Sequence, residues 1–209
     1  MKNHAKTISH ALLYLTGCFI IALGIILIIR SEIGTTPWDT LHVALSEITF
    51  LTIGQATIMV STCIIAFVTI YERNVRLMAM GLSVFFVGVF IDVFDGVILA
   101  TLEANTLAMG ITLYTLGILV LPFGGAMLIV SKFPAGVLEE FMFSMMRVFK
   151  TKKMVITRLV IDALPVILGT VLSILFLNNF GTASIGTLIF VFTVGPCIKL
   201  YLNLFRRLL

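Results

Sequence analysis

The sequence predicts an all-α integral membrane protein: six transmembrane helices in a 3+3 inverted-topology repeat, each half carrying an extra short amphipathic or re-entrant helix. Three observations carry that prediction. The composition is extremely apolar, six apolar runs have membrane-crossing length, and the chain resembles itself at a shift of 100 residues.

The 209 residues are 60% hydrophobic and only 11% charged, with a mean hydropathy of +1.17. Soluble domains carry roughly 25% charged residues. Inside lipid every backbone polar group must be satisfied within the chain, which leaves helices or a closed barrel. The apolar runs are long and do not alternate, so helices follow. Cys18, Cys63 and Cys197 each lie in an apolar run, without a CxxC pair or a neighbouring His. They read as small buried hydrophobes, and no metal or other cofactor is expected. Leu15-Thr16-Gly17-Cys18 spells a lipoprotein cleavage box, but only the five apolar residues Ala11–Leu15 precede that Cys and the run continues past it. The segment therefore reads as a retained first span.

Six windows can cross a hydrocarbon layer of ~30 Å at ~1.5 Å per residue. They are Ala11–Ile29, Ile53–Tyr71, Met78–Leu99, Leu107–Val130, Met154–Phe176 and Ser184–Leu202. With the N-terminus in the cytoplasm, thirteen of the fourteen Lys and Arg fall at cytoplasmic ends, and only Arg30 lies outside. That asymmetry is the positive-inside pattern, so both termini are expected in the cytoplasm. The net charge of +4 is thus an orientation signal, and the expected partner is the lipid bilayer, with no nucleic acid. A homo-oligomer is compatible with the composition.

A shift of 100 places Leu13, Tyr14, Gly17, Gly24, Ile29 and Ser31 on Leu113, Tyr114, Gly117, Gly124, Ile129 and Ser131 without a gap. Gly88-Val-Phe-Ile-Asp92 matches Gly195-Pro-Cys-Ile-Lys199 more weakly, at a shift of 107. The single membrane domain, 1–209, therefore divides into a first repeat, 1–102, and a second, 103–209. Three spans per half is an odd number, so the second half enters the membrane from the opposite side, as in many secondary transporters.

Each half also holds a shorter helix after its first span. In Gly34-Thr-Thr-Pro-Trp-Asp-Thr-Leu-His-Val-Ala-Leu45, Thr36 can cap, Pro37 suits the first turn, and Asp39 sits three residues past Thr36 as in a capping box. The shift of 100 places Ser31–Glu47 on Ser131–Arg147, and Asp39 on Glu139. Trp38, Leu41, Ala44, Leu45 and Ile48 form one helical stripe; Leu138, Phe141, Met142, Met145 and Phe149 form the other. Residues 36–49 and 137–149 fit two readings. One is an interfacial helix anchored by Trp38, with Asp39, His42, Ser46 and Glu47 in water. The other is a re-entrant element whose N-terminal N–H groups, at Thr36 and near Gly136, line a polar cavity.

Gly34-Thr-Thr-Pro-Trp-Asp39, Ile53-Gly-Gln-Ala-Thr57 and Gly88-Val-Phe-Ile-Asp92 resemble the YczE/YyaS/YitT group of bacterial multi-pass membrane proteins. The likeness extends over nearly the whole chain in length, span number and motif order. It implies the fold and a bacterial cytoplasmic membrane location, and little about chemistry, since the group has no assigned biochemical activity. The group tends to echo its Gly/Pro/acid element in the second half, where Val137 and Leu138 replace the Pro-Trp pair here.

Intramembrane charges are the remaining candidates. Asp92 lies about 10 Å from the outer end of span three, with Asp95 one turn further out on the same face. A lone carboxylate there needs a partner, a proton or water, and Arg30 is the natural cation. Two carboxylates three apart repel, which suits a proton carrier. Arg158 and Asp162 lie four apart on span five, where Lys199 of span six could also reach them. Each group reads either as a structural lock or as a gate.

No GxSxG, HExxH or phosphate-loop motif is found, so an enzyme is not expected. Two functions fit. One is a secondary transporter or permease for an unknown small solute, with Thr36, Trp38, Asp39, Glu139, Asp92 and Arg30 binding it. Asp92, Asp95, Arg158, Asp162 and Lys199 would then gate it or couple protons. The other is a non-transporting accessory or regulatory protein that docks a partner through the cytoplasmic basic loop Arg147–Arg158 and its short amphipathic helices.

Overall fold

A computed structural model describes the backbone of residues 2–208 and the side chains of residues 8–207. The side chains of Lys2 and Lys6, two of the cations used to orient the chain, lie outside that range. Among the described residues the fold is all helical: α1 (Lys2–Ile29), α2 (Pro37–Ile48), α3 (Ile53–Glu72), α4 (Gly81–Val93), α5 (Leu107–Ser131), α6 (Val137–Val148), α7 (Met154–Leu177) and α8 (Ile185–Leu208). A 3₁₀ segment, Val75–Met80, leads into α4, and a π-helical turn, Phe94–Ile98, follows it. Six stretches are long and apolar enough to cross a membrane, the third running from Val75 to Ile98. The two expected short helices are α2 and α6, within a residue of their predicted ends.

Local chemistry explains the boundaries. Thr52 caps α3 in a full capping box, its hydroxyl accepting from the Gln55 N–H at 3.1 Å while the Gln55 side chain accepts from the Thr52 N–H at 3.2 Å. The ends of α1 and α5 share one motif. Ser31 donates to the Ile28 carbonyl at 2.5 Å and accepts from the Ile33 N–H at 3.3 Å. Ser131 donates to the Leu128 carbonyl at 2.6 Å and accepts from the Phe133 N–H at 3.3 Å. Glu32 and Lys132, one residue later in each case, are left-handed, with φ of 57° and 62°.

The chain forms two compact units: Met1–Thr36 with Phe86–Phe133 and Ser184–Leu209, and Pro37–Phe85 with Pro134–Ala183. Unit one is organised on the α1–α5 seam. A Cβ on Gly124 would lie 2.8 Å from the Gly17 carbonyl oxygen, one on Gly117 2.9 Å from that of Gly24, and one on Gly110 2.7 Å from that of Ser31. The partners ascend along α1 as they descend along α5, so the two helices are antiparallel. Their backbones approach more closely than any side chain would permit, which is how small residues drive association in lipid. Ile28, Tyr114 and Phe190 form a buried cluster over this seam.

Unit two is built from α2, α3, α6 and α7 around Trp38, Ile64, Ile65, Val68, Val137, Met142 and Ile161. Trp38 contacts Asp162 on α7, and the backbone of Thr40 lies where a Cβ on Gly169 would come within 2.7 Å. Both sequences ascend together, so α2 runs in the same direction as α7. Phe141 packs edge-on against Phe67, and Ser144 donates to Glu72 at 2.8 Å. By the same reasoning α6 runs in the same direction as α3.

Candidate functional site

Four polar residues of unit two, Trp38, Glu139, Arg158 and Asp162, converge where the two short helices begin. Asp162 sits eight residues into α7, about 12 Å from its Met154 end along a helix of about 36 Å. The second residue of α2, Trp38, donates its indole N–H to Asp162 Oδ1 at 3.3 Å. The Trp38 ring also meets Phe141 of α6 edge-on at a centroid distance of 6.1 Å. The starts of α2 and α6 therefore lie beside each other, well inside the length of their long partners.

Arg158 ties the group together. Its Nε donates to Asp162 Oδ2 at 3.0 Å, the expected one-turn pair on α7, and its Nη1 lies 3.7 Å from Glu139 Oε1 in the first turn of α6. The Asp162 side chain is only 9% exposed, whereas Arg158 is 35% and Glu139 51% exposed. The cluster thus grades from a buried carboxylate to an open one, bridged by a guanidinium whose planar fork can serve both. One positive charge faces two negative ones, and the positive ends of two helix dipoles offset part of the difference. Pro165, three residues past Asp162, removes the N–H that would bond the Ile161 carbonyl.

A second polar group lies one turn along α2. Asp39 Oδ1 is 3.0 Å from His42 Nδ1, and Thr57 Oγ1 of α3 is 3.2 Å from the same nitrogen. The Asp39 and His42 side chains are 4% and 5% exposed. Of the two readings, the interfacial one put Asp39 and His42 in water, and that placement is not met: every residue from Pro37 to Ala44 is buried. Packing of α2 onto both α3 and α7 leaves its first two turns without a solvent side. Only its end, with Glu47 exposed, keeps the amphipathic character.

The remaining candidates belong to unit one. Arg30, expected to meet Asp92, places Nη2 2.7 Å from the Asp95 carboxylate and 3.2 Å from the Asp95 carbonyl. The π-helical turn widens the helix at Asp95 and brings both acceptors to one guanidinium. Asp92 is half-buried on α4, Lys199 is exposed on α8, and Thr36 is buried directly before α2.

Sequence reasoning selected Trp38, Asp39, Glu139, Arg158 and Asp162, and unit two brings four of them into one chain. It missed His42, whose i, i+3 spacing from Asp39 was the available signal, and Thr57, which no spacing links to it. It also used Arg147 as an orientation charge and as the start of the basic docking loop, whereas Arg147 pairs with Glu72 at 2.7 Å. Among the described residues no cluster of three His, Cys, Asp or Glu side chains is placed to hold a metal ion.

Comparison with known proteins supports the resemblance. Over 194 residues the chain is 25% identical to the uncharacterized protein YyaS of Bacillus subtilis, covering 93% of this chain and 92% of YyaS. Over 88 residues it is 33% identical to the uncharacterized membrane protein YczE of the same organism, covering 42% of this chain and 41% of YczE. No solved structure matches. Residues 8–203 match DUF6198, a family of unknown function, and this multi-pass membrane chain belongs to that family.

Proposed function

We propose that the protein is a secondary transporter or permease for a small solute, an inverted 3+3 repeat in a bacterial cytoplasmic membrane with both termini in the cytoplasm. The observation that carries this reading is the meeting of α2 and α6 starts on Asp162 and Arg158. Half-length helices from opposite halves of a chain, with N-termini converging at mid-depth on buried charge, are how transporters create a polar site without exposing backbone to lipid.

The repeat is supported by contacts that exchange under the shift of 100. Gly17 with Gly124 becomes Gly117 with Gly24, so the α1–α5 seam maps onto itself. The pairing of α2 with α7 becomes that of α6 with α3, and the Ser31 motif becomes the Ser131 motif. On this reading α2 and α6 are re-entrant. Solute binds at Trp38, Asp162, Arg158 and Glu139.

Flux into liposomes containing the purified protein tests the proposal, using a panel of amino acids, amines, sugars, nucleosides and organic acids. Wild type should move at least one compound, and Asp162→Asn should abolish that flux while charge reversal at Lys150, Lys152 and Lys153 leaves it intact. Absence of flux across the panel, with no compound raising thermal stability, would reject transport. Loss of cellular function only on reversal of those lysines would favour the docking alternative.

A further inference from the structure

We propose that Nε2 of His42 is a proton-binding site and that, within the transporter reading on which this role rests, it carries the coupling proton. The tautomer follows from the neighbours. A carboxylate such as Asp39 can only accept, and the single hydroxyl proton of Thr57 is committed to the Ile53 carbonyl at 2.9 Å. Both neighbours of Nδ1 are therefore acceptors, so Nδ1 carries the hydrogen and shares it between Asp39 and Thr57. The other nitrogen, Nε2, then holds a lone pair.

That atom is buried and has no hydrogen-bond partner, on a side chain 95% removed from solvent by its 5% exposure. A buried acceptor without a donor is costly, and each such group in a native structure calls for an explanation. Among the described residues no group of the protein occupies that lone pair, so it is the basic atom of the ring, open to a proton. Protonation at Nε2 makes an imidazolium whose charge is balanced at 3.0 Å by Asp39, and deprotonation returns the ring to the Nδ1–H form without moving it.

The surrounding charges leave this role to His42. Its own helix carries Asp39 and, beyond it, Glu47. The charged groups of α7 are Arg158 and Asp162, already engaged with each other and, for Arg158, with Glu139. On α3, Thr57 faces the ring, while Cys63, Tyr71 and Glu72 lie about 9, 21 and 22 Å further along the helix. Asp39 and His42 thus form a two-state pair, charged minus one or neutral, one turn from the proposed solute site.

Two measurements test this. In the double variant His4→Gln/His10→Gln, His42 is the only histidine of the three, and its ring nitrogens can be followed by NMR in lipid nanodiscs. The expected result is an Nδ1–H tautomer in the neutral ring, with the second proton taken up at Nε2. An Nε2–H tautomer in the neutral ring, or a ring that takes up no second proton when the pH is lowered, overturns the site whatever the protein transports.

The second measurement records pyranine fluorescence inside liposomes during solute addition. Wild type should acidify or alkalinise the lumen as solute moves, and His42→Gln should move solute without the pH change. Equal pH changes in both overturn the coupling role while leaving transport intact. If no solute moves at all, the transporter reading fails and the NMR result alone decides the proton site.

Discussion

α2 and α6 each follow a long helix and begin beside the same charged group, yet they differ in what surrounds them. α2 is buried from Pro37 to Ala44, polar residues included, while α6 buries only Val137, Met142 and Ser144 and leaves its first-turn Glu139 half exposed. α2 is clamped between two long helices, with its backbone seated where α7 has only the hydrogen of Gly169. The difference teaches that two short helices beginning side by side can hold their polar groups in very different surroundings. The helix sealed from water keeps an unpaired imidazole nitrogen and a buried acid, where small charge changes carry large energies. The more open helix presents a carboxylate that water screens.

Substitutions should break this contrast in a graded order. The largest effect is expected from Gly169→Leu, whose Cβ would lie 2.7 Å from the Thr40 carbonyl oxygen. It should push α2 off α7 and cost about 1–3 kcal/mol or more, read as a large drop in Tm with loss of flux. Asp162→Asn keeps an acceptor for Trp38 but leaves Arg158 with Glu139 alone. It should lower stability by about 1–2 kcal/mol, the scale of a hydrogen bond to a charged group.

Trp38→Phe retains the contact with Phe141 and removes only the indole donor to Asp162. A cost of about 0.6 kcal/mol, typical of interhelical bonds in membranes, should appear as a small Tm shift. Glu139→Gln should be smallest, at most about 0.5 kcal/mol, because both partners are more than a third exposed and their atoms are 3.7 Å apart. A Glu139→Gln loss as large as that of Asp162→Asn would show that the two helices are equivalent after all.

Much of this arrangement is legible along the chain. The six spans, the short helices and the Arg158–Asp162 pair depend on apolar run length, Pro/Gly breaks and one-turn spacing, all of them local. The seven-residue spacing of Gly17 with Gly24 and of Gly117 with Gly124 signals close packing, though not which helix is met. Arg30 illustrates the boundary of that reading. Its need for a carboxylate follows from its position, but Asp95 was selected by a π-helical turn, a change of helical register that apolar residues around it do not encode in any simple pattern.

The sequence by itself determined that this is a six-span helical membrane chain with two short helices, because lipid imposes length, apolarity and internal hydrogen bonding on every residue that enters it. Only the tertiary structure decided which polar atoms meet. The contacts of Trp38 with Asp162, of Arg158 with Glu139, and of His42 with Thr57 join separate helices. Such contacts depend on how helices pack in three dimensions, and a buried hydrogen bond leaves no periodic trace in either of the segments that make it.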